Sequence, residues 1–288
     1  MIHEDYPISP EQIDQYRRDG FIQLNDVIKG SDLDKLRDAV ELAVAEESLV
    51  SQKSMNEHKS AYEQIFIQKV NLWQRHPKVK EFVLSRRFGN LAARLSGCAM
   101  RLWHDQALFK EPRTGAKTPW HQDSHYWPHH QKQHQISIWI ALKDATIHNG
   151  CMSFLPGTQI HDSIEPVKLG DPQDIFSIAP QVKGIKPVTC ELKAGSCTFH
   201  HGLTFHYAGP NRSDDMREAF AILYMPDGTT YSGGTHVCIQ PGRYQFGQTL
   251  SDPDFPLVSS ALKPLGRNAV FEKHNERSRT FERQKVTE

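Results

Sequence analysis

Residues 118–128, TPWHQDSHYWP, contain the pattern that most constrains the fold and chemistry of this chain. One residue separates His121 from Asp123, and on an extended strand alternate residues point to the same face. An imidazole and a carboxylate placed in this way can bind one metal ion together with a third ligand from elsewhere in the chain. Two histidines and one carboxylate, with open coordination positions, are the ligand set of non-haem iron(II) oxygenases. The chain contains 16 histidines, so an H-x-D tripeptide alone is also expected by chance.

Candidates for the third ligand lie in residues 195–212, GSCTFHHGLTFHYAGPNR. The segment offers His200, His201 and His206, and spacing alone does not choose among them. Arg217 follows 11 residues after His206, just before an apolar run at 220–224. A guanidinium facing the metal from an adjacent strand would match a carboxylate through two parallel hydrogen bonds. Without that context, a surface arginine is the better interpretation.

The chain around these segments has the pattern of an antiparallel β protein. Short apolar runs alternate with Gly, Pro, Asn and Asp from about residue 100 onward, which is typical of a sandwich or barrel. No amphipathic helices separate these runs, so a parallel α/β sheet is disfavoured. The pattern predicts a mainly β jelly roll. Its expected strands are 101–109, 136–142, 151–155, 188–192, 196–200, 219–225 and 236–239.

The first third of the chain is predicted to be mainly helical. Ser9-Pro10-Glu11-Gln12 is a capping box, and Asp19-Gly20 ends the helix that it begins. A short strand is expected at 21–24, a second helix from Ser31, and one or two helices over 78–95 that end at Gly97. We expect a single domain over residues 1–288: a mainly helical part at 1–98 packed on one sheet, a jelly-roll core at 99–240 and a C-terminal segment at 241–288.

Composition narrows the function classes. Lys+Arg and Asp+Glu are equal at 34 each, so no global charge favours nucleic acid or an anionic membrane as partner. No apolar run approaches the length of a membrane span, and the N-terminus lacks the pattern of a secretory signal. The five cysteines are odd in number and show no C-x-x-C spacing, which disfavours a disulfide framework or a structural zinc site. We therefore expect a soluble cytoplasmic protein with reduced thiols.

Residues 106–224 resemble the phytanoyl-CoA dioxygenase (PhyH) family of iron(II)- and 2-oxoglutarate-dependent oxygenases. The resemblance rests on W-H-Q-D, on Y-W-P, on the later G-x-x-x-F-H-x-x-x-x-x-H-x-x-G-x-N-R and on the arginine beyond it. The opening helix followed by Asp19-Gly20-Phe21 is also similar to the family. The resemblance implies a double-stranded β-helix core (a cupin-like jelly roll), a small-molecule substrate, and iron(II), 2-oxoglutarate and O2 as cofactors and co-substrates.

The same resemblance assigns the metal ligands and catalytic residues as His121, Asp123 and His206, and makes His201 structural. Halogenases of this family replace the carboxylate with Ala or Gly. Because Asp123 is retained, hydroxylation of an unactivated C–H bond, with release of succinate and CO2, is expected rather than halogenation. Desaturation, epoxidation, ring closure and endoperoxidation use the same iron site.

For the co-substrate, the resemblance implies that Arg217 binds the distal carboxylate of 2-oxoglutarate. Trp139 and Gln106 match positions beside the co-substrate, and Thr118 is a weaker candidate for the same role. Ala208 departs from relatives that carry Ser there and use it as a second hydrogen bond to the carboxylate.

The substrate contacts suggested by position are Tyr126, Trp127 and Lys110. Core packing is the alternative for the two aromatic residues, and a structural role is the alternative for the lysine. Two rival functions share the same residues. One is a non-catalytic metal-binding protein on this fold, and the other is a zinc hydrolase, which would give Arg217 no defined role.

Overall fold

The computed structural model describes residues 4–53, 67–161 and 174–259, which form ten strands and six α-helices. The helices are α1 (Pro10–Asp19), α2 (Ser31–Lys53), α3 (Leu72–Arg75), α4 (Pro77–Val83), α5 (Arg86–Ser96) and α6 (Ile175–Ile178). The strands are β1 (Phe21–Leu24), β2 (Ile67–Val70), β3 (Met100–Lys110), β4 (Thr118–His121), β5 (Ile136–Ala141), β6 (Met152–Phe154), β7 (Val188–Cys190), β8 (Cys197–His201), β9 (His206–Ala208) and β10 (Arg217–Pro226).

The strands form two sheets in which every described pairing is antiparallel. The larger sheet has the order β1-β8-β5-β10-β3-β2, and the smaller has the order β4-β9-β6-β7. Chain neighbours such as β3 and β4 lie in different sheets, so the chain crosses repeatedly between the two layers. The prediction of a mainly β, antiparallel protein is confirmed.

Two apolar cores lie on opposite faces of the larger sheet. On β10, Phe220 and Ile222 belong to one cluster and Ala221 and Leu223 to the other, as the alternation of a strand requires. The first cluster also contains buried residues of α1, α2, α4 and α5. The second also contains Met152, Phe154 and Ala208 of the smaller sheet, so it fills the space between the sheets. Buried on both faces, β10 reads in the sequence as a continuous apolar run.

The N-terminal helix begins and ends as its sequence predicts. Ser9 and Gln12 form the reciprocal capping box, and Gly20 ends the helix in the left-handed conformation. A Cβ atom on Gly20 would collide with Oγ1 of Thr204 and Oε1 of Gln159. Thr204 in turn donates its hydroxyl hydrogen to the Gly20 carbonyl at 2.8 Å. This close approach ties the end of α1 to the turn that precedes β9.

One expected strand is absent, the mainly helical part also contains strands, and the end of the C-terminal segment lies outside the described residues. Residues 236–239 do not form a strand: they make a turn closed by the Ile239 amide and the His236 carbonyl at 2.9 Å. The mainly helical part also contributes β1 and β2, which are the outer strands of the larger sheet. The end of the predicted C-terminal segment, residues 260–288, lies outside the described residues.

Candidate metal centre and co-substrate pocket

Three predicted ligands converge between the two sheets. His121 is the last residue of β4 and pairs in register with His206, the first residue of β9. The Asp123 Oδ1 atom lies 3.6 Å from Nε2 of His121 and 3.5 Å from Nε2 of His206. All three donor atoms lie within 4.8 Å of one another, which is a spacing that one metal ion can bridge.

Backbone contacts orient both imidazoles toward this point. Nδ1 of His121 lies 2.8 Å from the Pro119 carbonyl, and Nδ1 of His206 lies 3.0 Å from the Thr204 carbonyl. A carbonyl only accepts, so Nδ1 carries the proton and the Nε2 lone pair faces Asp123 in each ring. Metal-binding histidines typically donate the N–H of the other ring nitrogen to a carbonyl, a carboxylate or water in this way.

The charge states also suit a cation. Burial would raise the pKa of Asp123, but contacts with His206, His121 and His200 hold that pKa well below its usual value. Burial lowers the pKa of His206 well below its usual value. A carboxylate and two imidazoles that present Nε2, with a side left open toward a cavity, are the donor set that iron(II) oxygenases use. The residues present therefore fit iron(II).

Asp123 reaches this position from a turn, and not from the strand that the alternation argument assumes. β4 ends at His121, and Asp123 begins a short 3₁₀ helix, Asp123–Tyr126. The amide of Ser124 donates to the Gly202 carbonyl at 2.9 Å, which fixes the turn against the segment before β9.

Two further side chains hold the carboxylate, and neither was assigned a role from the sequence. Oδ2 of Asp123 accepts from Oγ of Ser137 at 3.2 Å and lies 3.2 Å from Nε2 of His200. Oδ1 is thereby left to face His121 and His206. In the sequence, His200 could have been singled out by its place after Phe199 in the G-x-x-x-F-H part of the family pattern. Ser137 could have been found from the period of β5, because it lies on the same strand face as Trp139.

Arg217 lies at the start of β10 and lines the same cavity as the three ligands. Its side chain is buried, at 2% exposure, and its Nη1 donates to the Leu108 carbonyl at 3.0 Å. Its Nε has no hydrogen-bond partner, and its guanidinium carbon lies 5.2 Å from the centre of the Trp139 ring. Across the described ranges no carboxylate forms an ion pair with it. Burial lowers the pKa of Arg217 to about 10, which reflects a cation without a compensating anion.

The other predicted co-substrate residues line this cavity as well. Gln106 on β3, Thr118 on β4 and Trp139 on β5 all contribute to its wall. Oε1 of Gln106 accepts from Nε2 of Gln68 at 2.6 Å, so the amide nitrogen of Gln106 is its remaining donor. Ala208 is also part of the lining and supplies no side-chain polar atom.

The three suggested substrate residues differ in position. The Tyr126 ring lies 6.4 Å from the His121 ring, edge to face, whereas Trp127 belongs to the inter-sheet core. Lys110 is fully buried, and its ammonium donates to the carbonyls of Gly209 at 2.5 Å, Ala208 at 3.2 Å and Ala116 at 3.4 Å. Its three donors are thus used by the backbone, so the structure favours a structural role for this lysine.

His201, the structural candidate, lies apart from the three donor atoms. Its ring nitrogens face the backbone amides of Leu203 at 3.0 Å and His134 at 3.2 Å.

Among the described residues, no helix has the length and apolar character to cross a membrane.

Comparison with known proteins identifies a family. The sequence model described as Phytanoyl-CoA dioxygenase (PhyH) matches residues 16–219. A protein of Arabidopsis thaliana named Phytanoyl-CoA dioxygenase is 30% identical over 162 residues, which are 55% of this chain and 57% of that protein. This chain therefore spans less than two thirds of that relative. The peroxisomal phytanoyl-CoA dioxygenase of Bos taurus is 26% identical over 77% of this chain and 69% of its own length.

Another relative is named for a different substrate. A probable alpha-ketoglutarate-dependent hypophosphite dioxygenase of Stutzerimonas stutzeri is 30% identical over 51% of this chain and 52% of that protein. Among solved structures, the non-heme alpha ketoglutarate dependent carbocyclase SnoK from nogalamycin biosynthesis superposes with a TM-score of 0.75. It is 28% identical, and the match covers 88% of this chain and 97% of SnoK.

Proposed function

Because this chain belongs to the phytanoyl-CoA dioxygenase family of iron(II)- and 2-oxoglutarate-dependent oxygenases, we propose that it is itself such an oxygenase. In this proposal His121, Asp123 and His206 bind iron(II), and Arg217 binds the distal carboxylate of 2-oxoglutarate. One observation carries the proposal: a buried guanidinium without an anionic partner opens into the cavity that holds three converging metal donors. Leaving a buried charge unpaired costs several kcal/mol in general, so the arrangement calls for an anionic ligand.

The iron would supply the oxidative decarboxylation of 2-oxoglutarate to succinate and CO2, coupled to oxidation of the substrate by O2. The chain's own residues bind and orient the reactants. Leu108 fixes one end of the Arg217 guanidinium, so the remaining donors face the cavity. Trp139 packs against that guanidinium and keeps water from it. Gln106 and Thr118 offer polar contacts along the wall between the guanidinium and the metal donors.

Ser137 and His200 are proposed to act as positioning residues for Asp123. By holding Oδ2, they direct Oδ1 toward the metal and keep the carboxylate from rotating. The Pro119 and Thr204 carbonyls accept from Nδ1 of the two ligand imidazoles, so each ring presents Nε2 to the metal position. Removal of such contacts typically lowers metal affinity or activity by about 10- to 100-fold.

The reaction is proposed to be hydroxylation of an unactivated C–H bond of a small organic molecule, because Asp123 occupies the position that halide would need. The cavity lining includes Leu108, Met152 and Ala221 beside the imidazoles. Lys110 does not line it and donates to backbone carbonyls. A cytoplasmic location is proposed from the cysteines, none of which forms a disulfide.

The test is succinate formation from 2-oxoglutarate with iron(II), ascorbate and air. Wild-type protein should release succinate, and Asp123→Ala should release none. Arg217→Met should release succinate only at much higher 2-oxoglutarate, and Arg212→Met is its matched control because Arg212 is an exposed arginine beyond β9. The rival zinc hydrolase predicts activity that persists with zinc under nitrogen. The rival non-catalytic protein predicts metal binding with no 2-oxoglutarate binding and no succinate.

A further inference from the structure

A second group of metal-binding side chains lies outside the candidate iron site. His104 on β3 meets His236 and Cys238, which lie on the turn that follows β10. A ring nitrogen of each histidine and the cysteine Sγ lie within 4.8 Å of one another. We call these three residues the outer cluster. It shares no residue with the candidate iron site.

The outer cluster has lone pairs to offer. Nδ1 of His104 lies 3.3 Å from the Asp105 carbonyl, which places the proton on Nδ1 and leaves Nε2 as a donor atom. Burial lowers the pKa of His104 to about 3 and that of His236 to about 4, so both rings are neutral. Nδ1 of His236 accepts the Cys238 amide at 3.2 Å, a long hydrogen bond that a metal–nitrogen bond can replace.

Unsatisfied polar atoms surround the same place. Nε1 of Trp103, Nε2 of His129 and Oδ1 of Asn71 are buried and have no hydrogen-bond partner. The Trp103 ring lies 4.9 Å from the His236 ring and 4.3 Å from the His129 ring. Burial raises the pKa of the Cys238 thiol to about 12, against a smaller lowering by the side chain of Asn71, so the thiol would lose its proton only on binding a cation. Buried polar groups are usually paired, and a concentration of unpaired ones indicates a bound ion or water.

The donor set selects the class of cation. Two imidazoles and a thiolate suit Zn²⁺ or Cu⁺, whereas Mg²⁺ and Ca²⁺ prefer oxygen ligands. Bonds of about 2.0–2.3 Å from a tetrahedral zinc place its ligand atoms about 3.5 Å apart. The ligand atoms lie within 4.8 Å of one another, so any approach of the turn at 236–239 to β3 that the bound cation requires is small. That turn is partly exposed, with Val237 at its surface, so it has room to move.

We propose that His104, His236 and Cys238 form a second metal site that binds a thiophilic cation, Zn²⁺ or Cu⁺. Three protein ligands leave the fourth position for water or another small ligand. The bound cation would fasten the turn after β10 to β3, two residues from Gln106 of the candidate co-substrate pocket. Cysteine spacing did not predict this site, because its ligands come from distant parts of the chain.

Cobalt(II) is the probe that separates the two sites. The candidate iron site has no sulfur ligand, whereas Cys238 would give an intense sulfur-to-cobalt charge-transfer band in the near ultraviolet. Full-length Asp123→Ala protein, in which the first site is weakened by loss of its carboxylate and still offers no sulfur, should develop this band on titration with Co²⁺. Excess Zn²⁺ should remove the band by displacing cobalt.

Three variants in the Asp123→Ala background test the ligands. Cys238→Ser should abolish the band, and His236→Gln should weaken Co²⁺ binding by more than about tenfold, since even outer contacts of metal ligands are worth that much. Cys98→Ser is the matched control, a buried thiol outside the outer cluster, and should leave the band unchanged. Zn²⁺ should raise the unfolding temperature of the Asp123→Ala protein and not that of the His236→Gln double variant.

No charge-transfer band in the Asp123→Ala protein would overturn the proposal. So would a band that persists in Cys238→Ser, because the sulfur ligand would then be another cysteine. His236→Gln changes a partly exposed side chain, so a folded variant that binds Co²⁺ as tightly as its parent would also contradict it.

Discussion

Replacing Arg217 with methionine should stabilise the ligand-free protein and at the same time weaken 2-oxoglutarate binding. Burial lowers the pKa of this guanidinium from 12.5 to about 10. At about 1.36 kcal/mol per pKa unit, burying the unpaired cation costs about 3 kcal/mol of folding free energy. Methionine also loses the hydrogen bond from the charged guanidinium to the Leu108 carbonyl, worth about 1.5–2 kcal/mol. The net expectation is a gain of about 1–2 kcal/mol in the free energy of unfolding without ligand.

The effect on the co-substrate has the opposite sign. Removing one partner of a buried, hydrogen-bonded charge pair costs about 2–5 kcal/mol of binding free energy. At about 1.4 kcal/mol per decade, the dissociation constant of 2-oxoglutarate should rise by about 30-fold to about 4,000-fold. A more stable ligand-free protein together with weaker 2-oxoglutarate binding is expected when a buried cation serves to bind an anionic ligand.

Denaturant unfolding and anaerobic calorimetry of 2-oxoglutarate with the metal-loaded protein measure the two quantities. Arg212→Met removes the same charge from an exposed side chain and should change neither one appreciably. The reasoning is refuted if Arg217→Met binds 2-oxoglutarate as tightly as wild type. It is equally refuted if the variant is less stable without ligand, since the buried cation would then have a stabilising partner.

Three more predictions follow from the site. His206→Ala should lose iron(II) binding measured by anaerobic titration, whereas His201→Ala should retain most of it; the reverse order would show that the ligand assignment is wrong. Ser137→Ala should weaken iron(II) binding by about tenfold through one lost hydrogen bond to Asp123, and His200→Phe should weaken it further, while unchanged affinities would show that Oδ2 needs no support. Gly20→Ala should lower the free energy of unfolding by more than about 1 kcal/mol, because it adds left-handed strain and a collision with Thr204; a variant as stable as wild type in denaturant unfolding would contradict the tie between α1 and β9.

Local signals in the sequence predicted the elements that local physics controls. The capping box at Ser9, the left-handed glycines after α1 and α5, and the continuous apolar run of β10 are local features, so their consequences could be predicted. The segment 236–239 was mistaken for a strand because a short apolar run has no period of its own. In the fold it lies against β3, where tertiary contacts with Asn71 and Trp103 decide its conformation.

The three candidate metal donors were predicted for a different reason. The H-x-D pattern narrowed the choice, and the family resemblance then selected His206 over its two neighbours. The period of β5 places Ser137 on the same face as Trp139, but the contacts of Ser137 and His200 with Asp123 were not readable, because they depend on the register of β5 and β8. His200 pairs with Ser137 across those strands, which brings both side chains to one oxygen of Asp123. No spacing within the sequence encodes that register.

The most direct test of the central claim is anaerobic addition of iron(II) and then 2-oxoglutarate, followed by visible absorption. A keto acid that chelates iron(II) gives a broad metal-to-ligand charge-transfer band. The account predicts that wild-type protein develops this band with one equivalent each of metal and co-substrate, and that His206→Ala does not. A wild-type spectrum that stays featureless, although iron(II) is bound, would contradict the account.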